Sequence, residues 1–263
     1  MKQISHQITN KYYLVVILIS IFSLSCEEKL TINTEKNTYY DDISDITFLN
    51  DHFFSTNYDL SGNAGSQIDL LKFGMNTDSV YYISDSFDLD MNGQGYFAIT
   101  NDGTDLYLQS KNSYLIIRCS PIGEKAFMMS DTIATNWQPC GLAYQNENDS
   151  LLALYRNLDT LSQYRVRTIS KDISIESSRD EIFQLNFIDT TYYGVYALAY
   201  YNSSFFMLGV DTTLTDILMI LDNDFNITEI ETISDSTVVG LCFKENNLYL
   251  SYRDKRIEIW KSY

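Results

Sequence analysis

One short phrase comes round four times in this chain. It reads YISDS at residues 82–86, MMSDT at 128–132, FIDTT at 187–191 and TISDS at 232–236. The aspartates Asp85, Asp131, Asp189 and Asp235 stand 46, 58 and 46 residues apart. A second phrase follows each after a loop: FAI at 97–99, LAY at 142–144, LAY at 198–200 and LCF at 241–243, with TFL at 47–49 ahead of them all. After every one comes a polar turn and another strand-like run, HFFST, LYLQS, LLALY, FFMLG and LYLSY. A unit this short cannot bury its own apolar faces. Copies of it must stack on one another, and that requirement restricts the fold more than any other feature here.

A period of 40 to 50 residues with four short strands in each unit predicts an all-β chain folded as a β-propeller. The composition agrees: 21 Tyr and 14 Phe favour strands, and there are only two prolines. The inner strands are expected to begin near Ile46, Tyr96, Gly141, Ala197 and Gly240, which makes five blades of about 47 residues over 30–263. Six blades of about 39 residues, or a two-sheet sandwich, are the alternatives. The last unit has only three strands, in VVGLCF, NLYLSY and RIEIWK, while KLTINTEKNTYYDD at 29–42 has no partner of its own. A strand within 30–41 is therefore expected to complete the last blade, against the edge left at Trp260. Ala98, Ala143, Ala199 and Cys242 are read as equivalent positions on inner strands, where crowding near the axis selects a small side chain.

Ahead of this domain, Lys2 and Lys11 precede the apolar run YYLVVILISIFSL at 12–24. The run falls short of the roughly 20 residues a spanning helix needs, and it has the form of a signal segment. It leads into Ser25, Cys26, Glu27 and Glu28. Ser23, Leu24, Ser25 and Cys26 resemble the lipobox of bacterial lipoproteins, with Ser23 where stricter lipoboxes have leucine. The resemblance implies a signal peptide at 1–25, a lipidated Cys26 on a tether at 26–29, and anchoring to the outer membrane by acyl chains such as palmitate. Acidic residues directly after the cysteine resemble those of Gram-negative lipoproteins displayed on the cell surface. Surface display and a periplasm-facing position both stay open, as do an ordinary secretory signal and a retained anchor.

The formal charge is −17, and the mature chain would be more negative by the two lysines of the signal. Such a field repels phosphate backbones and anionic headgroups, which argues against nucleic acid as a partner. Cations, neutral glycans and basic proteins suit it better. The odd number of cysteines beyond Cys26 (Cys119, Cys140 and Cys242) provides no disulfide framework, and all three are expected to be free and buried.

The loops from outer to next inner strand and from second to third strand are the expected binding face. They hold Tyr58, Trp137, Gln138, Tyr192 and Tyr193, aromatic and amide groups suited to stacking on sugars or anchoring a protein. Residues 88–95, DLDMNGQG, alternate oxygen donors before a glycine turn. The run FDLDMNGQGYFAI resembles the calcium loops of FG-GAP-type propeller repeats. That resemblance implies Asp88, Asp90 and Asn92 as side-chain ligands of Ca2+, with the carbonyl of Gln94. Tyr96 and Ile99 stand where a closing acid would be needed, so a hydrogen-bonded Asx turn is the competing reading. The looser DNDFN at 222–226 reads as a hairpin turn.

Catalysis has little to draw on. His52 is the one histidine beyond the signal, and there is no zinc-type cluster or phosphate loop. The expectation is a non-catalytic envelope lipoprotein whose propeller face binds a glycan or a protein. A carboxylate-based glycoside hydrolase and a structural subunit of an envelope complex are the other two readings.

Overall fold

Period-two alternation on strands buried from both sides builds the architecture. Strand β11 (Ser150–Asn157) is buried along its whole length. Its Leu152 and Leu154 join one apolar cluster, while Leu151, Ala153 and Tyr155 join another on the opposite face. Strand β15 (Ser204–Val210) does the same: Phe205 and Met207 face one neighbour, Phe206 and Leu208 the other. Successive side chains leave a strand on opposite sides, so a sheet apolar on both faces must lie between two other sheets. The computed structural model describes residues 29–31, 43–57, 70–74, 80–82, 96–110, 115–119, 125–130, 136–171, 180–189, 194–234, 237–253 and 256–263.

Five antiparallel sheets of four strands result. Blade 1 runs β2 (Ile43–Leu49), β3 (His52–Asn57), β4 (Leu70–Gly74) and β5 (Val80–Tyr82). Blade 2 runs β6 (Tyr96–Asn101), β7 (Leu106–Ser110), β8 (Leu115–Cys119) and β9 (Lys125–Ser130). Blade 3 follows with β10 (Trp137–Gln145), β11, β12 (Gln163–Ser170) and β13 (Asp180–Gln184). Blade 4 has β14 (Val195–Tyr201), β15, β16 (Asp216–Leu221) and β17 (Ile227–Thr232). The last blade is β18 (Val238–Lys244), β19 (Asn247–Tyr252) and β20 (Arg256–Ser262), and its fourth strand is β1 (Lys29–Thr31) from the other end of the chain. This is a five-bladed propeller with N-terminal closure, as the repeat predicts. The closing contact differs in register from the expectation. Lys29, Leu30 and Thr31 pair with Glu258, Ile257 and Arg256, so the described strand does not reach Trp260. Trp260 instead donates its indole N–H to Glu231 of blade 4 at 3.0 Å.

All five inner strands carry a β-bulge at the same height. The register slips between Ile43 and Ile46, Tyr96 and Ala98, Pro139 and Gly141, Val195 and Ala197, and Val238 and Gly240. Counted from the bulge, Ala98 matches Gly141, Ala197 and Gly240, and it is Thr100 that matches Ala143, Ala199 and Cys242. The sequence alignment of Ala98 with Ala143 is therefore two residues out, because a shift of two keeps every side chain on the same face and leaves the alternation unchanged.

Beside the first bulge, Asp45 is buried and ties three blades together. Its carboxylate accepts the amides of Ile46 (3.0 Å), Ile99 (3.3 Å) and Leu241 (3.3 Å), from blades 1, 2 and 5. Burial pushes its pKa well up, against the pull of these three N–H groups. Gly240 is required there: a Cβ on it would stand 2.6 Å from the Cα of Asp45.

The core is thus not central but lies in the seams between blades, in clusters joining blades 2 and 3, 3 and 4, 4 and 5, and 5 and 1. Each large apolar side chain fully buried there contributes about 1.5–3 kcal/mol, more than any one polar tie between blades. Cys119, Cys140 and Cys242 are free and buried, as expected. Burial raises all three thiols, that of Cys119 to about 12.

Candidate functional site

Where each inner strand turns into the second strand, the five hairpins surround a funnel on the propeller axis. Its volume is about 490 Å3, and all five blades line it. Measured along the inner strands away from the hairpins, its deepest walls are Ile46, Ile99, Leu198 and Leu241. At the next level four of the five bulge-aligned positions are small, Thr100, Ala143, Ala199 and Cys242, and the fifth is Phe48. The mouth is aromatic and polar, with Tyr144, Tyr200, Tyr201 and Phe243 beside Asn101 and Asn146.

The sequence places these groups by simple means. Tyr144, Tyr200 and Phe243 close the LAY, LAY and LCF phrases, at the end of strands whose preceding residues are buried. Tight turns then reverse the chain. Asn202 and Ser203 (φ 46° and 59°) do this in blade 4, and Asn50 and Asp51 (φ 50° and 63°) in blade 1, in left-handed conformations that Asn and Asp tolerate.

One interaction spans each of the five seams at this mouth. Asn101 donates to the Thr47 hydroxyl (2.6 Å) and the Phe48 carbonyl (3.0 Å). Lys171 reaches Asp102 at 3.8 Å. Gln145 donates to the Tyr200 hydroxyl at 3.1 Å, and Tyr201 donates to Asn246 at 2.7 Å. The ammonium of Lys244 lies 4.5 Å from the ring centre of Phe48. These ties fix the rim side chains against two blades at once, so the mouth is preorganised.

The charges at the mouth are held in defined states. Burial pushes the Asp102 carboxyl up, but the amides of Asp105 and Thr104, the hydroxyl of Tyr107 and the Lys171 ammonium outweigh it, and its pKa lies below the usual carboxylate range. Tyr144 is raised by burial and by donating to Asp149, so it remains a neutral phenol. Asp149 is itself held low by Lys171 at 2.7 Å. No group of three or more His, Cys, Asp or Glu side chains suited to a metal ion occurs among the described residues.

Of the residues singled out from the sequence, Trp137 and Gln138 are described. At the start of β10, they lie at the opposite end of the propeller from the funnel mouth. Trp137 is 5% exposed and packs in the seam of blades 2 and 3, with the Arg165 guanidinium 5.6 Å from its ring centre. It serves the core and presents no free stacking face, because an aromatic at the start of an inner strand falls between blades. Gln138 is half-buried beside it on β10. Cys26, Tyr58, Tyr192 and Tyr193 lie outside the described residues, as do Asp88, Asp90, Asn92 and Gln94 of the calcium-like loop. The DNDFN segment is a hairpin turn, as read: the Asp222 carboxylate accepts the amides of Asp224 (2.9 Å) and Asn226 (2.8 Å). The funnel was missed, although its signal was present. The aromatic third residue of LAY, LAY and LCF repeats ahead of the turn and marks the funnel mouth.

No family model matches the chain, and no curated protein matches it. Solved structures do. The crystal structure of Myxococcus xanthus glutaminyl cyclase aligns with a TM-score of 0.57 at 11% identity, over 84% of this chain and 91% of that one. A chain of the nidogen/laminin complex aligns with a TM-score of 0.54 at 14% identity, over 81% and 73%. At such identities the likeness concerns the fold alone.

Proposed function

We propose that this protein is a lipid-anchored binding module of the bacterial envelope that holds a glycan or a protein partner at its axial funnel. One observation carries the reading: a cavity to which all five blades contribute, with aliphatic depths and a preorganised aromatic mouth. Pockets of this size and lining are the usual form of binding sites. Cys26, after its apolar run and before Glu27 and Glu28, supports attachment to the outer membrane with the propeller held outside the bilayer. The fold serves both uses among the compared structures, since one is a cyclase and the other comes from a protein complex. Asp102 at the mouth accepts two amides and the Tyr107 hydroxyl, an arrangement that suits a fixed charge for binding better than a proton donor.

Two experiments test this. Asn146 is exposed at the mouth, and Asn146→Trp adds a bulky ring there without touching the seams. Pull-downs from the native envelope with tagged wild-type and variant protein should recover a partner with the first and lose it with the second. Equal recovery by both would remove the funnel from the account. For the anchor, Cys26→Ser should abolish fatty-acid labelling and release the protein from the membrane fraction. A wild-type protein that takes up no labelled fatty acid would defeat that part.

A further inference from the structure

The funnel mouth has a chemical bias that narrows its occupant. Two charged residues line the funnel itself, Asp102 and Glu245, both acidic, while the lysines beside the mouth are engaged, Lys171 with Asp102 and Asp149 and Lys244 over the Phe48 ring. Asp102 is compensated by Lys171, whereas Glu245 makes no ion pair or hydrogen bond among the described residues. Glu245 sits on the two-residue turn after β18, in a left-handed conformation (φ 54°) that is fixed on both sides by strand pairing. Next to it, Asn246 accepts the hydroxyl of Tyr201, whose ring is stacked on Phe243 at 4.3 Å and 10°. An uncompensated carboxylate thus borders a stacked aromatic pair, inside a molecule of strongly negative charge. The same mouth already holds an ammonium against an aromatic ring, that of Lys244 over Phe48. Aromatic faces and carboxylates attract cations and repel anions.

Depth supplies the second constraint. Below the mouth the walls are Ile99, Leu198 and Leu241, with the small Ala143 and Ala199 leaving room between. A bare cation driven down to that level would lose water and gain no counter-charge, since the Asp45 carboxylate behind it is engaged by three backbone amides.

Resting on the funnel reading above, we infer that its ligand is an alkylammonium compound, with the ammonium at the Glu245, Tyr201 and Phe243 side of the mouth and the alkyl part on the aliphatic walls. Both halves are needed: the carboxylate and rings select the charge, and the depth selects an apolar tail.

The probes are n-hexylammonium, hexanol and hexanoate, titrated by calorimetry into the mature chain. Hexylammonium should bind, and the neutral and anionic probes of equal length should bind at least about tenfold more weakly. Glu245→Gln should weaken hexylammonium roughly fivefold and leave hexanol unchanged, and raised salt should act in the same direction. Methylammonium, lacking the tail, should bind much more weakly than hexylammonium. Hexanoate binding as well as hexylammonium, or hexylammonium indifferent to both Glu245→Gln and Asn146→Trp, would overturn the inference. The two proposals fail separately. If hexylammonium does not bind while Asn146→Trp still loses the envelope partner, the funnel reading stands and the ligand class falls. If Asn146→Trp keeps that partner, the funnel reading falls as well.

Discussion

At the scale of single residues, the buried polar groups are where this fold can be improved or broken. Gln109 on β7 faces the Ala98 that follows the blade 2 bulge and is wholly buried, yet neither atom of its amide finds a hydrogen-bond partner. The matching positions in blades 3 and 4 are Leu154 and Leu208, each paired with the residue after its bulge. Gln109→Leu should therefore stabilise the protein by about 1–2 kcal/mol, read as a higher Tm. A lower Tm would mean that the amide is satisfied in solution. Asp102 behaves in the opposite way. Its pKa is depressed in the folded state, so its contribution is complete above the ordinary carboxylate pKa of about 4 and is lost as pH falls through the folded value. Asp102→Asn should cost about 1.5–3 kcal/mol at pH 7, and the gap to wild type should close towards pH 3. A gap of constant size across that range would assign the loss to packing rather than charge.

At the scale of the element, strand β1 is three residues long and yet decides whether the ring closes. It pairs through Leu30 with Ile257, which is buried against Ile46 and Tyr249 in the seam of blades 5 and 1. Without it, β20 becomes a bare edge. Deleting residues 29–31 should lower the Tm by roughly 5 °C or more, as expected when a few kcal/mol are lost from a chain of this size. A melting curve identical to wild type would reduce these residues to a tether. The neighbouring outer strands show how exposed edges are managed. β17 presents Glu229 and Glu231 on the rim of blade 4, and Lys261 of blade 5 pairs with both. Such half-exposed pairs contribute up to about 1 kcal/mol, so they serve to guard the edge more than to hold the blades.

At the scale of the molecule, the seams make the chain one cooperative unit. Strands such as β15 have apolar side chains in two seams, so losing one blade uncovers both of its neighbours. Denaturant unfolding of the mature chain should follow a single transition, with far-UV circular dichroism and tyrosine fluorescence coincident. Two separated transitions would show that closure is weaker than the seams between blades. The funnel belongs to this scale too. No blade contains it, and it exists only when five inner strands stand around one axis.

The repeat of strand phrases was enough to establish the architecture. Alternation on a doubly buried strand is a local property, and so are the missing fourth strand of the last unit and the turn at Asp222, whose carboxylate meets amides a few residues on. The signal-like segment ending at Cys26 is equally a matter of adjacent residues. What the sequence did not disclose depends on groups far apart in the chain. Ala98 is out of line with Ala143 by two residues, an offset that period-two alternation conceals and strand pairing reveals. Trp137 reads as an exposed anchor and is buried, because it packs in a seam with Tyr107 and Ile116 of the neighbouring blade. The funnel brings residues 46 to 246 to one mouth, and Asp45 meets Leu241 across 196 residues. Contacts of that range are products of ring closure, so only the tertiary structure could reveal the funnel.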